Sequence, residues 1–73
     1  MLYYINMRYY VNINAQSNWD HEVHNEQCRW LPTPENRIYL WNFESCKYAV
    51  QEAKKIYSKA DGCAYCCSIC HTS

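Results

Sequence analysis

Cys63-Ala64-Tyr65-Cys66-Cys67-Ser68-Ile69-Cys70-His71 sets two Cys-x-x-Cys pairs back to back, and its reading decides what holds this chain together. Two residues between thiolates let both sulfurs reach one tetrahedral ion at about 2.3 Å without straining the backbone. The chain has 73 residues and 6 cysteines. A domain this short buries only about 60% of the surface its unfolded form exposes, so it needs a disulfide, a metal or a partner chain. A four-coordinate zinc asks for two ligands beyond one cysteine pair, and His24-x-x-x-Cys28 supplies them. The set is therefore His24, Cys28, Cys63 and Cys66 around one structural zinc ion, with Cys67, Cys70 and His71 as alternates to the second pair. Such a clip closes a long loop, where a cross-link contributes most in theory.

Two other uses of the cysteines compete with the metal. Six cysteines can pair into three bridges in about 15 ways, so a disulfide framework predicts no particular connectivity. Free thiols are the third use. Cys46 stands apart from the cluster, either as a small buried hydrophobe or as a thiolate activated at a helix start. His21-Glu22-Val23-His24 is not a metalloprotease motif, because that motif spaces its histidines four apart on a helix. His21 reads as a solvated residue rather than a ligand.

Working back from the cluster, Gly62 is the single glycine and suits a left-handed helix cap. Before it, Cys46, Ala49, Val50, Ala53, Ile56, Tyr57 and Ala60 fall on one helical stripe after an N-cap at Ser45. Lys54, Lys55 and Lys59 gather toward its C-terminal end, where the helix dipole favours positive charge. Arg37-Ile38-Tyr39-Leu40-Trp41 reads as a strand, and Leu31-Pro32-Thr33-Pro34 before it as irregular chain. At the start, Tyr3, Ile5, Met7, Tyr9, Val11 and Ile13 alternate with mostly polar residues, the period of a half-buried strand. Part of that strand survives if Met7 is the true start, which would make 1–6 an N-terminal extension.

Seven basic residues balance seven acidic ones, and no basic run exists. Net neutrality argues against a domain built to neutralise phosphates or to dock on anionic lipid. Nucleic acid is thus not expected as a partner, despite eight tyrosines and three tryptophans. No stretch approaches the roughly 18 apolar residues of a membrane span, and the first residues lack the pattern of a secretion signal. The expected compartment is the cytoplasm, where clustered thiols stay reduced.

Tyr9-Tyr10-Val11-Asn12, Asn14-Ala15-Gln16, Asp20-His21-Glu22-Val23-His24, Cys28, Trp30-Leu31-Pro32, Asn36-Arg37, Tyr39-Leu40, Ser45-Cys46, Ala49-Val50, Ala53-Lys54 and Asp61-Gly62-Cys63 through Cys70-His71 resemble a family of small uncharacterised bacterial Cys-rich proteins. The likeness covers nearly the whole chain from Met7, and that family has no established function to lend. His-x-x-x-Cys followed by a strand, a helix and Cys-x-x-Cys is more loosely similar to zinc modules such as the phosphotriester-repair domain of the adaptive-response protein. That resemblance implies the same four ligands, and in the repair domain one zinc thiolate accepts a methyl group. Trp19 and Trp41 stand where the family pattern leads one to expect glycine. If both positions need left-handed backbone, each tryptophan costs about 1–2 kcal/mol.

These observations predict one α+β domain over 1–73: two or three antiparallel strands, one helix on a face, and a zinc clip near the C-terminus. The expected role is an interaction module with a protein partner, or a homodimer through an aromatic sheet face of Tyr4 and Tyr10 with Tyr39 or Trp41. The alternatives are a thiolate-based enzyme or sensor, by alkyl acceptance or redox chemistry, and a domain held by disulfides alone.

Overall fold

Residues 6–72 are described by a computed structural model, and each element follows from its local sequence. The alternating segment forms β1 (Met7–Asn12), with Tyr9 and Val11 buried. Of the expected strand positions, Tyr3, Tyr4 and Ile5 lie outside the described residues. A turn leads to β2 (His21–Asn25), and a 3-10 turn at Pro34–Asn36 leads into β3 (Arg37–Phe43). The helix α1 (Cys46–Ala53) follows, then a short β4 (Ala60–Gly62) and a 3-10 turn at Ser68–Cys70.

The class is α+β as expected, but the sheet has four strands in the order β3-β1-β2-β4. It is also mixed. β1 is antiparallel to both neighbours, while β2 and β4 run parallel, pairing His21 with Ala60 and Val23 with Gly62. A parallel partner requires a crossover, and α1 is part of that connection, carrying the chain from one edge strand to the other.

The expected helix to Ala60 therefore stops short. After Ala53 the ladder tightens, with the amide of Ile56 donating to the Ala53 carbonyl, and Ile56 ends up exposed. The final apolar residue of the predicted stripe, Ala60, instead enters β4. Ser45 does hold the N-cap position with extended backbone, but its side chain makes no capping bond. Gly62 is not a helix cap and has no positive φ. It is needed for a different reason. A Cβ there would lie 2.8 Å from both the Cys67 carbonyl oxygen and the Cys70 Cβ, so the cysteine loop can fold back onto β4 only over a glycine.

Tyr9, Val11, Val23 and Leu40 from the sheet meet Cys46, Ala49 and Ala53 from α1 and Cys67 from the tail. Alanines on the buried stripe let the helix lie close to the sheet. Trp19 and Trp41 both have positive φ, 73° and 130°. At Trp41 the β1–β3 register slips. Tyr9 pairs with Trp41 and Tyr10 with Tyr39, leaving Leu40 as the additional residue of a bulge. No helix among the described residues is long and apolar enough to cross a membrane.

Candidate metal centre

Four side chains from two segments of the chain converge at the end of the β2–β4 pair. His24 comes from β2, Cys28 from the turn after it, Cys63 from the residue following β4, and Cys66 from the next turn. Backbone bonds fix this meeting: the amide of Cys63 donates to the Val23 carbonyl at 3.0 Å, and that of Cys28 to the Asn25 carbonyl at 3.2 Å. One ligand atom from each of the four residues lies within 4.8 Å of all the others, and the group can hold a metal ion. The Cys28 and Cys63 sulfurs are 3.9 Å apart. Two sulfurs at about 2.3 Å from a tetrahedral ion would stand about 3.8 Å apart.

Each cysteine of the group accepts a backbone amide. Trp30 donates to Cys28, Tyr65 to Cys63 and Asn25 to Cys66, all at 3.4 Å. Amides aimed at sulfur favour the charged thiolate. Burial works the other way: it pushes the Cys63 thiol up to about 11, and it also raises Cys28. Cys66 is raised well above the ordinary thiol range, first by its contact with Cys67 and then by burial. Three thiolates this close and this dry repel one another unless a cation lies among them, and a cation reverses the balance.

His24 supplies the clearest sign. It is 1% exposed, burial lowers its pKa, and neither ring nitrogen has a hydrogen-bond partner. Nε2 lies 3.5 Å from a Glu22 carboxylate oxygen without the geometry of a hydrogen bond. An imidazole buried neutral and unsatisfied costs about 1–3 kcal/mol, and a metal bond removes that penalty.

The alternates have other partners. Cys70 forms a disulfide with Cys46, tying the tail to the start of α1. Cys46 is therefore buried as expected but is neither a free hydrophobic thiol nor an activated one. Cys67 is buried in the core, its sulfur 3.7 Å from that of Cys66, and its contact with Cys66 lowers its pKa. His71 Nδ1 lies 2.9 Å from the Gly62 carbonyl oxygen and 3.3 Å from the Asp61 carboxylate. That same carboxylate accepts the Thr72 amide and hydroxyl, so the tail is latched to β4. His21 is outside the cluster, but it is not simply solvated: its ring stacks on Tyr57 at 3.7 Å, and its Nδ1 is 2.9 Å from the Asn12 carbonyl oxygen.

The Cys46–Cys70 pairing and the Asp61 latch went unassigned from sequence. The single available signal was the Cys67-x-x-Cys70 spacing, which serves a metal pair equally well. No protein-family model matches this chain, and comparisons with curated proteins and with solved structures likewise find no match.

Proposed function

We propose that this chain is a small interaction module built around one structural zinc ion, bound by His24, Cys28, Cys63 and Cys66. The observation that carries the reading is the buried His24 ring with both nitrogens unsatisfied, set within 4.8 Å of three amide-bonded cysteine sulfurs. Three sulfurs and one nitrogen in a compact group suit zinc, which favours closed tetrahedral sites of this composition when its role is structural. Glu22 on the Nε2 side of the ring leaves Nδ1 as the nitrogen toward the metal. All four positions are then filled by protein, which leaves none for a substrate.

Native mass spectrometry of protein purified without added metal tests this. The expected spectrum shows one zinc per chain, and a strong chelator removes it together with the folded charge distribution. A metal-free chain that keeps its fold and its four free thiols would refute a structural metal. Stoichiometric alkylation of one ligand thiol in the folded, loaded protein would instead favour the thiolate-based sensor or enzyme.

A further inference from the structure

The β1–β3 part of the sheet carries a row of aromatic rings outside the buried core, and the outermost, Trp41, also lines a concavity with Leu40, Phe43 and Glu52 of α1. Tyr10 and Tyr39 lie with ring centroids 5.4 Å apart, and Tyr39 and Trp41 5.8 Å apart. Tyr39 is exposed, and Trp41 is 63% exposed. Trp41 sits beside Tyr39 on an unfavourable backbone. Its register partner Tyr9 is a core residue, so a regular ladder would turn Trp41 inward, as it turns Phe43 toward Tyr9. With the bulge and the φ of 130°, its ring is exposed at the sheet edge beside Tyr39 instead. A strained residue whose side chain is left in solvent contributes little to stability, and such outliers collect at binding sites.

Two guanidinium groups flank the rings. Arg37 lies 4.4 Å over the Tyr10 ring, fixed by its bond to the Pro32 carbonyl. Arg8 lines a concavity together with Tyr10 and Tyr39. Among the described residues neither guanidinium is in an ion pair. Glu26, the acid nearest Arg8 in the hydrogen-bond pattern, takes the Arg8 backbone amide rather than its side chain. Stacking surfaces beside arginines that are in no ion pair among the described residues fit a ligand that presents flat rings on an anionic backbone. A second copy of the same face would bring four guanidinium groups together, and a proline-rich peptide would give neither an anionic partner.

We propose that this face binds single-stranded nucleic acid, with bases on Tyr39 and Trp41 and phosphates on Arg8 and Arg37. Four-stranded sheets with exposed aromatics on one face and helix on the other are a known platform for two or three bases. This departs from the expectation that nucleic acid is not a partner, which leaned on net charge. Zero net charge limits the number of phosphate contacts but does not prevent two arginines from sharing one face. The proposal rests on residues of β1 and β3, of which Tyr10 pairs in register with His24 of the candidate metal group.

The test is fluorescence anisotropy of a fluorescein-labelled decathymidylate titrated with the full, metal-loaded chain at several salt concentrations. Saturable binding is expected, with Kd on the order of 10⁻⁴ M and a log–log salt slope of about −1.4 for two phosphate contacts. Arg37→Gln should bring the slope to about −0.7. Trp41→Gly should weaken binding about 5- to 150-fold, the range for one lost stacking contact, while raising the melting temperature by relieving the positive φ. Mass spectrometry of the variant should show its zinc unchanged, which separates this failure from failure of the metal site. The proposal is overturned by absent saturable binding, by equal binding of wild type and both variants, or by a dimer in sedimentation that Trp41→Gly dissolves.

Discussion

The two halves of the sheet are held in different ways. In the β1–β3 half, long strands carry core side chains, and Tyr9, Val11 and Leu40 bury enough apolar surface to keep them paired. In the β2–β4 half, β4 is three residues long, and its partner contributes His24 to the interior. Ala60, Asp61 and Gly62 bring little apolar area, and Asp61 is a buried carboxylate. That half is tied by the Cys46–Cys70 disulfide and the Asp61 latch, and the Cys/His group at its end would add a cross-link on binding a metal. Where a small domain runs out of core, coordination and covalent bonds take over.

If the comparison holds, perturbations should act unequally on the two halves. The largest effect is expected from removing the metal or from His24→Ala. Structural zinc contributes on the order of 10 kcal/mol in small domains, so amide exchange should become fast across β2, β4 and the tail. Unchanged protection of the Cys63 amide would break the contrast. Next comes the disulfide. Cys46 and Cys70 are 24 residues apart in sequence, a loop for which cross-linking is worth about 3 kcal/mol on its own. Coordination through Cys66, as proposed, would confine much of that loop, so Cys70→Ser should lower stability by about 2 kcal/mol in urea unfolding. A loss much above that in the zinc-loaded protein would mean that the disulfide, rather than the metal, is the main clip.

Asp61→Asn should cost about 1–3 kcal/mol by disrupting the bonds to the Thr72 amide and hydroxyl. Its thermal melt should show the loss, with exchange at Thr72 rising first. The smallest effect has the opposite sign. Trp19→Gly places a residue that tolerates φ 73° at an exposed turn and should stabilise by about 1 kcal/mol. A destabilised variant would show that the Trp19 ring, which shares a cleft with His21 and Tyr57, holds that turn in place.

Legibility followed the same division. β1 could be read because its apolar residues alternate, and the start of α1 because Cys46, Ala49 and Ala53 fall on one stripe. The candidate metal group could be read because Cys-x-x-Cys and His-x-x-x-Cys spacings are local rules, and the structure brings those four residues together. β4 could not be read. Ala-Asp-Gly has no strand propensity and pairs because the crossover lays it beside β2. The stripe beyond Ala53 misled for the same reason, since Ala60 is apolar for the sheet and not for the helix. The Cys46 partner was hidden among equivalent cysteines, and Gly62 is fixed by the close approach of the cysteine loop that follows it. Tertiary pairing decided each of these, and pairing is not written in any one segment.

X-ray absorption at the zinc edge of the purified protein tests the central claim most directly, because it counts the atoms on the ion. The account predicts a four-coordinate first shell of three sulfurs at about 2.3 Å and one nitrogen at about 2.0–2.1 Å, with the nitrogen signal lost in His24→Ala. Four sulfurs, which would draw Cys67 into the site, or an oxygen-rich six-coordinate shell would contradict it.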